Sequence, residues 1–176
     1  MDWREDRIAA AHRGENPTIL VELAAGFAVM GDVQFLPGYC VLLGKDPSAK
    51  ALAEMPRAER VQFLADVDLL ATAVERACRA SDPQFRRVNI EVLGNTDAFV
   101  HGHIWPRYEW EPPAMVTRPV WLYEPERWSD PETALGSEPA GLRERITTEL
   151  MLLVAEESRH DVADQAPPLT PHRPGP

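Results

Sequence analysis

The chain has little of what marks several classes of protein. Only two of its 176 residues are cysteines, Cys40 and Cys78, which is too few for a disulfide scaffold. We interpret both as small buried hydrophobic residues rather than as a disulfide or a zinc pair. No apolar run approaches the roughly 18 residues that a membrane span needs, and residues 1–7 are too charged for a signal peptide. These features predict a soluble, cytoplasmic protein.

Positive charge is also scarce in this sequence. Lysine and arginine number 18 against 28 aspartates and glutamates, so that the formal net charge is −10. Broad binding to DNA, RNA or an anionic membrane needs a basic surface, and this composition argues against it. A small phosphorylated ligand remains compatible, because distant carboxylates are screened beyond about 8 Å and a few local N–H groups dominate a pocket.

The sequence does contain enough apolar residues, 44%, to bury a continuous core, and we expect one domain. A short helix is predicted over residues 2–13, with Asp2 as its N-cap and Gly14 in the left-handed position after its end. Apolar segments bounded by glycine and proline follow. They predict a β-hairpin made of two strands, 26–30 and 38–43.

A long helix is predicted next, over residues 57–80. The apolar residues that recur there at steps of three and four are Leu64, Val67, Ala71, Val74 and Cys78. A strand over 87–93 then leads directly into a strand that contains two histidines. Because these strands follow one another without helices between them, we expect an α+β fold with an antiparallel sheet and helices packed on one side.

The composition changes after residue 108 to an aromatic and proline-rich segment without a regular period. We expect its rings to cover part of the sheet or a subunit contact, and they include Trp110, Trp121 and Trp128. A second helix is predicted over 139–157, from the spacing of its leucine, isoleucine and valine residues.

These elements divide the chain into one domain, 1–158, and a tail. The core of the domain is predicted at 19–108, and the aromatic segment with the last helix forms an extension over 109–158. The tail, 159–176, is rich in proline and poor in core-forming residues, which predicts disorder.

The strand that contains His101 and His103 carries the clearest indication of chemistry. Successive side chains of a strand point to opposite faces, so that both imidazoles share one face with Phe99 and Trp105. A polar turn at 94–97 precedes this strand and can direct its backbone N–H groups toward the same place.

Two neighbouring histidines allow three interpretations. They form a hydrogen-bonded or exposed pair without chemistry, or they bind zinc or iron. A metal site needs further ligands, for which Glu91 and Asp97 are the nearby candidates. In the third interpretation one neutral imidazole attacks an electrophile while its neighbour moves protons near pH 7.

The whole segment resembles the motif of the histidine triad superfamily of nucleotide hydrolases and transferases. In that family a Gly-Gln-Ser/Thr turn precedes a strand reading His-x-His-x-His, often followed by two apolar residues and Pro-Arg. Here 94–96 matches the turn, 99–103 the triad and 104–107 the residues that follow. The chain departs from the family pattern at Phe99, the first triad position, and at Asn95, where the family has glutamine.

The resemblance implies an antiparallel sheet of about five strands with the long helix on one face. It also implies that His101 attacks an α-phosphorus and forms a nucleotidyl-histidine. His103 then forms a hydrogen bond to the phosphate or to the leaving group. Gly94, Asn95 and Thr96 then hold the phosphate oxygens, without a metal or cofactor in the protein. In the family a main-chain carbonyl at the first triad position holds the other ring nitrogen of the nucleophile.

The resemblance extends upstream to the hairpin. Residues 27–45 match a family hairpin in which an acidic residue binds the ribose, and this role falls to Asp32, with turn capping as the alternative. Further candidates for contact with the substrate are Lys45, Phe99, Trp105 and Arg107. Lys45 and Arg107 are equally compatible with solvated charges at the ends of strands.

The function implied is a nucleotide hydrolase that cleaves a nucleoside phosphate linked through P–O–P or P–N. Histidine at 103, where the galactose-1-phosphate uridylyltransferase branch carries glutamine, favours hydrolysis. The alternatives are a nucleotidyltransferase or phosphorylase, and a nucleotide-binding or sensing protein without turnover, which Phe99 and Asn95 suggest. The expected partners are a small nucleotide and a second copy in a homodimer, with no nucleic acid polymer and no membrane.

Overall fold

The structure is a computed structural model that describes residues 2–94 and 97–164. Its centre is one five-stranded antiparallel sheet, in the order β1-β2-β3-β5-β4. The strands are β1 (Ile19–Glu22), β2 (Gly26–Met30), β3 (Cys40–Gly44), β4 (Phe85–Glu91) and β5 (His101–Tyr108). The helices are α1 (Arg7–His12), α2 (Arg57–Ser81) and α3 (Leu142–Asp164). The predicted α+β class and strand number are confirmed.

Helix α1 begins later than the sequence predicts. Asp6, not Asp2, is its N-cap, and the Asp6 carboxylate accepts a hydrogen bond from the backbone N–H of Ala9 at 3.1 Å. Asp2 instead accepts from the backbone N–H of Arg4 within a preceding turn. The predicted end is confirmed, because Gly14 follows the helix with φ of +71°, in the left-handed region that favours glycine.

The predicted hairpin is present as β2 and β3, which pair antiparallel with Val29 opposite Val41. Strand β3 begins at Cys40 rather than at residue 38, because Gly38 has φ of +93° and belongs to the turn. Both cysteines are buried and free, as predicted. Within 2–94 and 97–164, no helix is long and apolar enough to cross a membrane.

Helix α2 covers the sheet face opposite the two histidines. The prediction for this helix is confirmed, although Leu64 is 45% exposed and not part of the core. Gly102 on β5 lets the helix approach closely, since a Cβ atom there would lie 3.1 Å from Cγ2 of Val67. Successive side chains of β5 therefore point to two different faces. Gly102 and Ile104 pack against the helix, and the two histidines lie on the opposite face.

The segment after β5 folds over that second face without helices longer than 3₁₀ turns, as its lack of a period indicates. It is anchored by a buried ion pair in which Arg107 Nε donates to Glu111 Oε1 at 2.9 Å. The other guanidinium nitrogens donate to the carbonyl oxygens of Met115 and Arg118, both at 2.8 Å. Glu111 also accepts from the hydroxyl of Tyr123 at 2.8 Å.

The C-terminal helix α3 packs against α2, where Arg76 and Glu149 form an ion pair at 3.7 Å. It is longer than the predicted helix at 139–157 and runs to Asp164. The structure places 159–164 in this helix, whereas the sequence analysis assigns them to a disordered tail. The rest of that predicted tail, 165–176, lies outside the described residues.

The Arg107–Glu111 pair yields a stability prediction. Glu111→Gln removes the charge that neutralises Arg107 in a site where the two side chains are 3% and 0% exposed. A buried charge without its partner costs about 3–5 kcal/mol, and we expect a loss of that size in the free energy of unfolding in urea.

The matched control is Glu109→Gln, which removes an exposed carboxylate 3.4 Å from Arg86. Surface ion pairs contribute about 0–1 kcal/mol, so this change should be nearly neutral. Equal, small effects of the two substitutions would contradict the anchoring role of Glu111.

Candidate active site

His101 is the first residue of β5, and its ring is held by the main chain. Its Nδ1 lies 2.8 Å from the carbonyl oxygen of Phe99. A carbonyl oxygen only accepts hydrogen bonds, so Nδ1 carries the proton and Nε2 keeps a lone pair. This is the contact that the resemblance implies, and the Phe99 side chain takes no part in it.

His103 stands beside His101, with ring centroids 4.8 Å apart. Burial, with a smaller effect of His101, lowers the pKa of His103 to about 4, so that the ring is neutral at pH 7. Its Nδ1 lies 2.7 Å from the hydroxyl of Tyr39, whose own pKa is raised by burial. The protonated phenol can donate to Nδ1 or accept from it, and when it donates, the imidazole proton of His103 lies on Nε2.

Tyr39 is fixed by the residues on either side of its ring. It stacks on Trp105 with ring centroids 3.4 Å apart and an interplanar angle of 4°. On Gly31 a Cβ atom would lie 2.1 Å from the Tyr39 ring, so that only glycine fits this position. Trp105 is fully buried by these contacts and is not among the residues that line the histidine cavity, and its contact with the substrate stays a prediction.

The two histidines open into a cavity of about 210 Å³, which we call the histidine cavity. Its apolar floor is formed by side chains of β2 and β3 on the same sheet face. The charged and titratable side chains that line it are Arg7, Asp32, Tyr39, Asp97, His101 and His103.

Two tryptophans from the segment after β5 form one wall of the histidine cavity. Trp121 and Trp128 stack with centroids 4.9 Å apart and an interplanar angle of 3°. Trp121 is 40% exposed, lies 4.9 Å from the His103 ring and donates from its indole nitrogen to Glu91 at 2.6 Å. The predicted covering of the sheet by aromatic rings is confirmed here.

Asp32 lies in the histidine cavity, as predicted, and is paired with a residue that sequence analysis missed. The Arg7 Nη1 atom donates to Asp32 Oδ1 at 3.1 Å, and Nη2 donates to Oδ2. The sequence indicated a helix around Arg7, but its charge was interpreted only as part of a charged N-terminus. Nothing local in the sequence relates α1 to the turn that contains Asp32.

Gly94 lies beside a second cavity, of about 320 Å³, which shares Phe99 and His101 with the histidine cavity. Lys50, which sequence analysis did not identify, also lines this second cavity. The predicted phosphate-binding residues Asn95 and Thr96 lie outside the described residues.

Lys45 and Arg107, which were predicted to contact the substrate, are not among the residues that line the histidine cavity. Lys45 pairs with Glu22 at 2.8 Å, which fits the alternative of a strand-end charge. Arg107 is buried in its pair with Glu111 and is therefore not a solvated charge, and its contact with the substrate stays a prediction.

The metal interpretation of the two histidines finds no set of ligands in the described part of the chain. Over 2–94 and 97–164, no group of three or more histidine, cysteine, aspartate or glutamate side chains is arranged to hold a metal ion. Of the two carboxylates considered for this role, Asp97 lines the histidine cavity and Glu91 accepts from Trp121.

Comparison with solved structures identifies the fold. A histidine triad protein from Marinobacter aquaeolei VT8 superposes with a TM-score of 0.61 at 18% identity, over 77% of this chain and 89% of that one. The chain has the histidine triad fold. A histidine triad protein from Sinorhizobium meliloti 1021 gives a TM-score of 0.60 at 18% identity, over 86% and 94% of the two chains.

A third structure with the histidine triad fold is described as a hypothetical nucleotide-binding protein from Sulfolobus tokodaii strain 7. Its TM-score is 0.54 at 15% identity, and the match covers 83% of this chain and 91% of that one. No family model and no curated protein matches the sequence. At these identities the comparison establishes the fold, and the chemistry is argued from the site.

The lowered pKa of His103 gives a prediction for stability against pH. The unfolded state binds the proton near pH 6.5 and the folded state only near pH 4, so the free energy of unfolding falls as pH falls through this window. His103→Gln removes this titration, and we expect a smaller fall when urea unfolding is measured at both ends of the window. The same fall in both proteins would exclude His103 as its source.

Proposed function

We propose that the protein is a nucleotide hydrolase that cleaves a nucleoside phosphate at its α-phosphorus, through a nucleotidyl-histidine intermediate. The observation that carries this proposal is the bond from His101 Nδ1 to the carbonyl oxygen of Phe99, which leaves Nε2 as a nucleophile beside the histidine cavity. A structure of the same fold described as nucleotide-binding supports the ligand class.

In the first step Nε2 of His101 forms a bond to the α-phosphorus while the P–O or P–N bond to the leaving group breaks. Covalent catalysis of this kind divides one difficult displacement into two easier ones. The ring becomes cationic as it bonds to phosphorus, and the Phe99 carbonyl stabilises that charge through Nδ1–H. In the second step water attacks the phosphorus, and the neutral imidazole leaves.

His103 acts in this scheme as a hydrogen-bond donor. With its pKa near 4 it is neutral at pH 7, and the Tyr39 hydroxyl on Nδ1 leaves the proton on Nε2. Nε2–H then donates to a phosphate oxygen or to the leaving group as negative charge builds up in the transition state. Gly94, Asn95 and Thr96 are proposed to hold the remaining phosphate oxygens, with Phe99 in contact with the ligand.

Asp32 is proposed to bind the ribose hydroxyls. A carboxylate has about four lone-pair sites, and Arg7 occupies only two of them, so acceptor capacity remains for two hydroxyl groups. The Arg7 pair also fixes the carboxylate in place, which lowers the entropy lost when the ribose binds.

The alternatives differ from hydrolysis in the last step or in turnover itself. A nucleotidyltransferase or phosphorylase passes the nucleotidyl group to an acceptor other than water, and a sensor binds the nucleotide without cleaving it. Incubation with adenosine phosphoramidate, dinucleoside polyphosphates and nucleotide sugars separates them by whether nucleoside monophosphate, a transfer product or neither forms. A homodimer in the cytoplasm remains our expectation for the assembly.

His101→Ala should abolish release of nucleoside monophosphate from adenosine phosphoramidate, because no other group replaces the nucleophile. We expect kcat to fall by at least about 10³-fold. Binding of AMP, measured by calorimetry, should survive, since the remaining lining of the histidine cavity is unchanged.

The matched control is His160→Ala, which removes an exposed histidine on α3. It should leave turnover at the level of the unmodified protein. Normal turnover in His101→Ala would rule out the assignment of the nucleophile.

The ribose assignment is tested by a change at Asp32. We expect Asp32→Asn to reduce the preference for adenosine phosphoramidate over its 2′-deoxy analogue, because the amide loses acceptor capacity toward the hydroxyl. The expected change in the ratio of kcat/KM is about tenfold, the value of one hydrogen bond to a charged group. An unchanged ratio of kcat/KM would contradict a contact between Asp32 and the ribose and would leave the carboxylate only its structural contact with Arg7 and the turn.

A further inference from the structure

A third cavity lies between β4 and the segment that follows β5, with a volume of about 380 Å³. Its lining is dominated by four arginines, and we call it the arginine cavity. These arginines are Arg86, Arg87, Arg107 and Arg118, and the uncharged polar side chains beside them are Asn89 and Thr117. In a chain with a net charge of −10, such a concentration of positive side chains needs an explanation.

Strand β4 places this cavity on the same sheet face as the histidines. Arg87 lies opposite Arg107 and Glu91 lies opposite His103 in the antiparallel pairing of β4 with β5. Directly paired residues of neighbouring strands point to the same face. Arg87 and Glu91 are four positions apart, so the level of Arg87 and the level of His103 are about 13 Å apart along the strand.

Two of the four arginines are already neutralised. Arg107 is paired with Glu111, and Arg86 with Glu109 at 3.4 Å. Arg87 and Arg118 are exposed, and neither forms an ion pair with any residue in the described ranges. These two guanidinium groups outnumber the one remaining carboxylate of the lining, Glu91, so the cavity keeps a net positive charge.

Two backbone carbonyl oxygens in the wall of the arginine cavity already accept hydrogen bonds from arginines. The carbonyl oxygen of Val116 accepts from Arg86 Nη1 at 2.7 Å, and that of Arg118 accepts from Arg107 Nη1 at 2.8 Å. Glu91, the carboxylate at the border with the histidine cavity, accepts from the indole of Trp121. The wall therefore offers donors and positive charge, which suits an anion with many acceptor atoms.

We propose that the arginine cavity binds a phosphate chain of a small ligand, with Arg87 and Arg118 as its principal contacts. The guanidinium group presents a planar fork of donors that matches two phosphate oxygens at once. The overall negative charge disfavours a nucleic acid polymer, whereas two local cations suffice for a short oligophosphate.

Two kinds of ligand could supply the phosphate chain that binds in the arginine cavity. One is the distal phosphate part of a dinucleoside polyphosphate whose α-phosphorus lies at His101, which is about 20 Å from the level of Arg107 along β5, so that only a long chain reaches both. The other is a separate oligophosphate. Binding to the cavity stands independently of the proposed hydrolysis, because it is measured directly.

The test is calorimetric titration of the full chain with sodium tripolyphosphate. We expect binding to the unmodified protein and a loss of at least about tenfold in affinity for R87Q/R118Q, since a hydrogen bond between charged groups contributes about 1.5–3 kcal/mol. Both side chains are exposed and without ion pairs, so the double variant should fold normally, which circular dichroism checks. Absence of binding to the unmodified protein overturns the proposal, as does equal binding to R87Q/R118Q.

Two controls separate the arginine cavity from other causes. R13Q/R79Q removes the same two charges from surface pairs with Glu15 and Glu75 and should keep its affinity for tripolyphosphate. R7Q tests the histidine cavity, and loss of binding in R7Q but not in R87Q/R118Q would place the anion there and overturn the proposal.

A kinetic arm distinguishes the two sources of the phosphate chain. The ratio of kcat/KM for diadenosine tetraphosphate to that for adenosine phosphoramidate should fall about tenfold in R87Q/R118Q if the chain belongs to the substrate. An unchanged ratio, together with tripolyphosphate binding that depends on Arg87 and Arg118, assigns the cavity to a separate oligophosphate. If neither compound is cleaved, the proposed hydrolysis fails while the titration still decides the anion site.

Discussion

Strand β5 is hydrogen-bonded to β3 on one side and β4 on the other, and its side chains alternate between two environments. Gly102 and Ile104 meet the long helix α2, while His101 and His103 open into the histidine cavity. The packing of one set of side chains thereby fixes the register and orientation of the other, because a shift by one residue would exchange the two faces. The buried core behind the sheet therefore holds the two histidines in fixed positions.

Each histidine is oriented by a group from a different part of the chain. The main chain at Phe99 holds His101, and the Tyr39 hydroxyl, locked between Gly31 and Trp105, holds His103. The carbonyl contact leaves Nε2 of His101 with a lone pair, and in the proposed scheme the hydroxyl donates to His103 so that its Nε2 offers a proton. Two imidazoles of the same residue type thus acquire different roles from their surroundings, as titratable groups in active sites commonly do.

Regular patterns made much of this fold predictable. The spacing of apolar residues marked α2, alternation marked β5, and the motif resemblance pointed to His101 and its main-chain partner. Arg7 and Tyr39 escaped sequence analysis because they reach the histidine cavity from distant elements, and their local sequence carries no trace of that contact. The burial of Trp105 and Arg107 could not be predicted either, because the segment that covers them has no period from which its path follows.

The carbonyl oxygen of Phe99 orients the His101 ring, so the side chain at position 99 does not have to hold this ring in place. Phe99 lines both the histidine cavity and its neighbour, so a substitution there alters the ligand's surroundings while the peptide group that aligns His101 stays in place. The side chain at position 99 can therefore change without moving the carbonyl that holds His101. At this position a departure from the family motif is compatible with an intact arrangement of the two histidines.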